Sequence, residues 1–176
     1  MNVLGPLTNP AQPNAGLVGC ADPRLAPVLA EVFAGRGASV LVVRGDDGLD
    51  ELTTTGTSTV WVVGGGEVRV ETLDPAALGV PVATRDDLRG GTREVNAAAF
   101  RAVLAGELGP VRDAVLLNAA GALVAADGIG AGVSPGSLAE AFPTALKRAA
   151  AAIDTGAARD VLERWVTLST RLGASG

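Results

Sequence analysis

Apolar positions follow two rhythms along this chain. Through the first ninety residues they come in short unbroken runs, and beyond that they recur at intervals of three and four. Gly16-Leu17-Val18-Gly19-Cys20 is a brief apolar run that predicts a strand. In Asp22-Pro23 a capping side chain precedes a proline suited to a first helical position, so a helix is expected to begin there. Leu25, Val28, Leu29 and Val32 continue at helical spacing, and Gly35 to Gly37 supply the stop. Ser39-Val40-Leu41-Val42-Val43 then has no polar alternation, as expected of a strand buried on both faces. Strand, helix and strand within about thirty residues suggest a βαβ unit and a parallel sheet.

Two β-branched runs, Thr57 to Val63 and Glu67 to Thr72, flank Gly64-Gly65-Gly66 and predict a hairpin with a glycine turn. Asp74-Pro75-Ala76-Ala77-Leu78 predicts a short capped turn. After Gly90-Gly91, helix formers dominate. Helices are predicted over Thr92 to Ala105, over Pro110 to Ala126, and from Ser134-Pro135 to Ile153 with Pro143 at most kinking it. A last helix runs from Ala157 to Leu172, with Val161, Leu162, Trp165 and Leu168 on helical spacing. The expected fold class is therefore α/β: a mostly parallel sheet with a glycine-turn hairpin and flanking helices, then a helical C-terminal region. Residues 1–91 form the α/β portion of this reading and residues 92–176 the helical portion.

Composition narrows the chemistry. The chain has no histidine and a single cysteine, Cys20. Imidazole acid–base catalysis, His-ligated zinc, intrachain disulfides and cysteine clusters are thereby excluded within it. A hydrophobic content of 48% argues for a packed protein. The net charge of −5 argues against non-specific attraction to nucleic acid. The longest apolar stretch, Ala114 to Ala126, is interrupted by Asn118 and falls short of the roughly 20 residues of a membrane span. With no basic leader at its start, the sequence is expected to belong to a cytoplasmic protein.

The densest chemistry lies in Arg44-Gly45-Asp46-Asp47-Gly48-Leu49-Asp50-Glu51, directly after a predicted strand. In α/β sheets, ligands gather at the carboxyl ends of parallel strands. Adjacent Asp50 and Glu51 suit a hard cation such as Mg²⁺, which needs only one or two protein carboxylates beside waters and substrate phosphates. The competing reading is a solvated turn in which aspartates cap backbone N–H groups. The hydroxyl run Thr53 to Thr59 has no lysine or histidine beside it to activate a nucleophile, which favours binding of backbone or ligand oxygens. Gly64 to Gly66 precedes a strand, so a hairpin turn is favoured over a phosphate cradle. Asn118, inside an apolar helix, must find hydrogen-bond partners. Gly5-Pro6-Leu7-Thr8-Asn9-Pro10 is proline-rich, and glycine before proline allows close approach to a flat ligand; an ordinary exposed loop explains it equally.

Three strings in order, NVLGPLTNPAQPNAGLVG, GDDGLDELTTTGTSTVWVV and GPVRDAVLLNAAGALVAADG, resemble the anthranilate phosphoribosyltransferase family across essentially the whole chain. The resemblance implies Mg²⁺-dependent transfer of a 5-phosphoribosyl group from phosphoribosyl pyrophosphate to anthranilate, in tryptophan biosynthesis. It implies that Asp50 and Glu51 bind Mg²⁺ beside the diphosphate, that Gly5 and Pro6 line the anthranilate site, and that Asn118 belongs to the core. No protein nucleophile is needed, since catalysis here rests on positioning and charge neutralisation. It also implies that the family's first half lies outside this chain, including most of the helical domain through which the family forms homodimers. Gly-Thr-Gly-Gly-Asp and Lys-His-Gly-Asn, two strings of that half, do not occur here. The expectation is a fragment with little or no activity by itself. A partner-dependent or non-catalytic binding module, and a relative acting on another acceptor, are the alternatives.

Overall fold

A computed structural model describes residues 5–128 and 137–174. After a 3₁₀ turn at Pro6–Thr8 the chain forms β1 (Ala15–Gly19), α1 (Ala26–Gly35), β2 (Ser39–Gly45), β3 (Ser58–Gly64) and β4 (Glu67–Leu73). A second 3₁₀ turn at Ala76–Leu78 leads to α2 (Arg93–Leu104), α3 (Pro110–Ala126), α4 (Leu138–Asp154) and α5 (Ala157–Gly173). The expected start of α4 at Ser134-Pro135 lies outside the described residues.

The α/β architecture is as expected, but the sheet is mixed rather than mostly parallel. Its order is β1-β2-β3-β4, and only β1 and β2 run parallel, joined through α1. The β2–β3 and β3–β4 pairs are antiparallel. A crossover helix is what a parallel connection requires, and neither later connection contains one. Gly65 and Gly66 form the β3–β4 turn with φ of +62° and +83°. A two-residue turn with both central residues at positive φ matches the right-handed twist of the flanking strands, and glycine adopts it without strain.

The unbroken apolar run of β2 is explained by helices on both faces of the sheet. Val40 and Val42 pack with Trp61 and Val63 against Leu29, Ala30 and Phe33 of α1. Leu41 and Val43, pointing the other way, pack with Val60 and Val62 against Leu117 and Val124 of α3 and Phe142 of α4. Side chains alternate faces along a strand, so a central strand covered twice needs apolar residues at every position. Each such valine or leucine, fully buried, stabilises the fold by about 1.5–3 kcal/mol.

Two local expectations shift. The helix after Asp22 begins at Ala26, not at Pro23. The Asp22 carbonyl does accept the Leu25 and Ala26 N–H groups, at 3.1 Å each. Pro27 then has no N–H to return to Pro23, so the regular ladder starts one turn late. Pro143, by contrast, is carried inside α4, which continues to Asp154. The start of this helix is satisfied from the sheet: Glu71 Oε2 accepts the Leu138 N–H at 3.0 Å while Oε1 takes Arg69 Nε at 2.7 Å. α5 forms over the expected span, yet none of its residues is buried, and Trp165 is 67% exposed. No described helix is long and apolar enough to cross a membrane.

Candidate functional site

The loop between β2 and β3, residues 46–57, leaves the carboxyl end of β2 beside the carboxyl end of β1. Cys20 N–H donates to the Val43 carbonyl at 2.9 Å, and Arg44 Nε donates to the Ala21 carbonyl at 3.0 Å. These bonds continue the parallel ladder past Gly19 and hold the two strand ends together.

Within the loop the four carboxylates divide into two pairs. Asp46 accepts hydroxyl hydrogen bonds from Thr57 and Thr59. Asp47 Oδ2 accepts from Thr53 Oγ1 at 2.8 Å and Thr55 Oγ1 at 2.7 Å, and its Oδ1 accepts the Leu49 N–H at 3.2 Å. Burial pushes the Asp47 carboxyl up, but the hydroxyls of Thr55 and Thr53, the Leu49 N–H and the charge of Arg85 outweigh it and leave it below its ordinary value. Arg85 also donates to the Asp47 carbonyl at 2.6 Å. Asp47 thus caps a backbone N–H of an ordered turn, while Asp46 spends its oxygens on threonine hydroxyls. Asp50 and Glu51 do neither. Both are exposed, and neither side chain carries a hydrogen bond or ion pair among the described residues.

The hydroxyl run finds its use here. Thr53, Thr55, Thr57 and Thr59 alternate along the chain and all spend their hydroxyls on Asp46 or Asp47. Alternation puts Thr57 and Thr59 on one face of the chain entering β3, whereas Thr53 and Thr55 reach Asp47 from the bend at residues 54–56.

Asp50 and Glu51 are anchored through their backbone neighbours. Asn118 of α3 accepts the Leu52 N–H on Oδ1 at 3.0 Å and donates from Nδ2 to the Leu52 carbonyl at 2.9 Å. Its amide also donates to the Ala114 carbonyl one turn back, at 3.0 Å. The Leu52 side chain is buried against Gly121, where an added Cβ would stand 3.0 Å from Leu52 Cδ1 and Leu17 Cδ1. On the other side, a Cβ at Gly19 would lie 1.6 Å from the Asp50 carbonyl oxygen. Only glycine lets that backbone approach so closely.

Pro6, the other expected site residue, lines a cavity of about 280 Å³ with Asn9, Phe33 and the length of β1 through Gly19. That groove therefore ends at the glycine on which Asp50 rests. Gly5 is not among the lining residues; its carbonyl accepts the Thr8 N–H that closes the 3₁₀ turn, at 3.3 Å. The described residues hold no group of three or more His, Cys, Asp or Glu side chains able to hold a metal ion. The donor set at Asp50 and Glu51 is two free carboxylates. It fits a Mg²⁺ ion that draws its remaining ligands from water and a phosphate, and does not fit a closed, all-protein metal cage.

The site thus sets two carboxylates, without partners among the described residues, beside the strand ends of a mixed sheet covered by helices on both faces. Residues 1–159 match the family described as "Glycosyl transferase family, a/b domain", and the chain belongs to that family. Among curated relatives it is 60% identical over 171 residues to the anthranilate phosphoribosyltransferase of Saccharopolyspora erythraea, a match covering 97% of this chain and 47% of that protein. The enzyme of the same name from Mycolicibacterium paratuberculosis is 59% identical over 171 residues, with 46% of its length matched. Among solved structures, anthranilate phosphoribosyltransferase from Thermus thermophilus superposes with a TM-score of 0.75 at 40% identity, covering 94% of this chain and 46% of that one. The Saccharomyces cerevisiae enzyme in complex with PRPP and Mg gives a TM-score of 0.69 at 25% identity, covering 84% of this chain and 40% of that one. The chain spans about half the length of the relatives it matches.

Proposed function

We propose that this chain provides the metal-side half of an active site that transfers a 5-phosphoribosyl group from phosphoribosyl pyrophosphate to anthranilate. The observation that carries the reading is the division within the acidic loop. Asp46 and Asp47 are occupied by threonine hydroxyls, while Asp50 and Glu51 stand free at the strand end, seated by Asn118. A solved relative holds PRPP and Mg, which supports Mg²⁺ as the ion.

Mg²⁺, when bound, would neutralise charge on a departing pyrophosphate. The protein's part is positional. Asp50 and Glu51 would hold the cation through their carboxylate oxygens, and the bonds of Asp47 to Thr53 and Thr55 order the same loop. Pro6 and the groove along β1 offer an apolar wall on which a flat aromatic acceptor can lie. No residue needs to form a covalent intermediate, so a chain without histidine is chemically sufficient for this share of the work.

Because two carboxylates leave a Mg²⁺ ion short of ligands, a diphosphate should tighten its binding. Mn²⁺ binding to the chain, followed by water-proton relaxation with and without inorganic pyrophosphate, tests this. Stronger binding with pyrophosphate, lost in Asp50→Asn with Glu51→Gln, is expected; equal binding by both proteins would overturn the reading. Anthranilate fluorescence in the presence of PRPP and Mg²⁺ reads the complete reaction. The chain alone is expected to run near background, since it spans about half of its relatives.

A further inference from the structure

We infer that Asn118 is a positioning residue for the acidic pair. Gly19 and Gly121 complete its seat, which fixes the direction in which the Asp50 and Glu51 carboxylates are presented. This rests on the proposed metal role of that pair, and concerns a residue that the sequence assigns only to the core.

The geometry is specific. A half-buried asparagine could satisfy itself within its helix, as the Asn118 bond to the Ala114 carbonyl does. Asn118 instead spends its remaining donor and its acceptor on the two backbone groups of one residue, Leu52, at 2.9 and 3.0 Å. A paired N–H and C=O fix the peptide planes on both sides of that residue, not merely its distance. The plane on the N-terminal side is the Glu51–Leu52 peptide, so rotation there would swing Glu51. Asp50 is held independently, by its carbonyl lying on Gly19. Leu52 is kept from sliding along α3 by its side chain against Gly121, one helical turn from Asn118. Three contacts from two elements thus bracket three consecutive residues, while the carboxylates themselves stay untouched. A hydrogen-bonding outer partner that orients a metal ligand in this way typically changes metal affinity by about 10–100-fold when removed.

The test compares the native chain with Asn118→Ala and Val124→Ala. Val124 lies on the same helix and is 2% exposed, so its truncation weakens α3 packing without touching the Leu52 backbone. Two quantities are read: amide exchange at Leu52 relative to Val62 in β3, and Mn²⁺ affinity. In Asn118→Ala, Leu52 exchange is expected to rise at least about tenfold against Val62, with Mn²⁺ bound about tenfold more weakly. Val124→Ala should change neither ratio. Native-like Leu52 exchange in Asn118→Ala, or an equal loss of Mn²⁺ affinity in both variants, would overturn the inference. If Asn118→Ala does not fold, Asn118→Asp decides it with the same readouts, keeping the size and the acceptor but losing the donor to the Leu52 carbonyl. Equal Mn²⁺ binding by the native chain and Asp50→Asn with Glu51→Gln would instead remove the metal reading, leaving the exchange result to judge the seat.

Discussion

Asn118 of α3 holds Leu52 by both of its backbone groups, and so ties the loop after β2 to a helix 66 residues further along the chain. Removing the amide leaves a partly buried N–H and carbonyl without partners. Asn118→Ala is expected to cost about 1–3 kcal/mol of stability, read from urea denaturation midpoints at constant m-value. A midpoint equal to that of the native chain would mean that water replaces both bonds at no loss.

Gly19 carries a second prediction. A methyl group there would stand 1.6 Å from the Asp50 carbonyl oxygen, which is backbone and cannot rotate aside. Gly19→Ala should therefore displace residues 50–52 and destabilise the chain by about 1–3 kcal/mol. Gly16→Ala, on the same strand with nothing within 4 Å of its added Cβ, is the control and should be far milder. Equal effects at the two positions would argue against the close approach.

Acid stability should report on Asp47. Its carboxyl lies below the ordinary value of 3.8, so the contribution favours the folded state above that pH. The contribution is lost as pH falls through the lower, folded-state value. Thr55→Val removes one of the hydroxyls responsible. The variant should lose stability relative to the native chain at pH 5 and close much of that gap at pH 3. A gap of the same size at both pH values would show that the hydroxyl acts by packing alone.

The two tryptophans should be optically distinct. Trp61 is buried against α1 at 9% exposure, whereas Trp165 on α5 is 67% exposed. Acrylamide should quench a red-shifted component that disappears in Trp165→Phe, leaving a protected, blue-shifted one. Stability should change by no more than about 0.5 kcal/mol in that variant. Loss of the protected component instead would contradict the placement of α5.

In the core, Phe142 is 0% exposed and packs on both the sheet and α3. Phe142→Ala should cost about 3–5 kcal/mol, measured by thermal or urea unfolding.

Much of this was legible in the chain. The bounds of α3, Pro110–Ala126, coincide with the expected helix, because proline opens it and Gly128, at a φ of +86°, follows its end. The β3–β4 hairpin was equally clear, since glycines at positive φ are a local requirement of the turn. Strand direction was not. The βαβ pattern predicted parallel pairing and was right for β1–β2, whereas residues 46–57 hold no crossover helix and β3 returns antiparallel. The face of α5 has helical periodicity in sequence, yet periodicity does not say what covers a face, and in this chain it lies open.

The acidic loop shows the same boundary. The order of residues already sets the chemistry on offer: four carboxylates in six residues, a run of hydroxyls, and no imidazole. Residue types set what a segment can bind. Which carboxylates are free follows from the folded arrangement. Asp46 and Asp47 are claimed by threonines six to thirteen residues away, while the backbone at Leu52 is held by Asn118 and that at Asp50 lies on Gly19. Hydrogen bonds form between groups that packing brings within about 3 Å, and that proximity is a property of the folded chain.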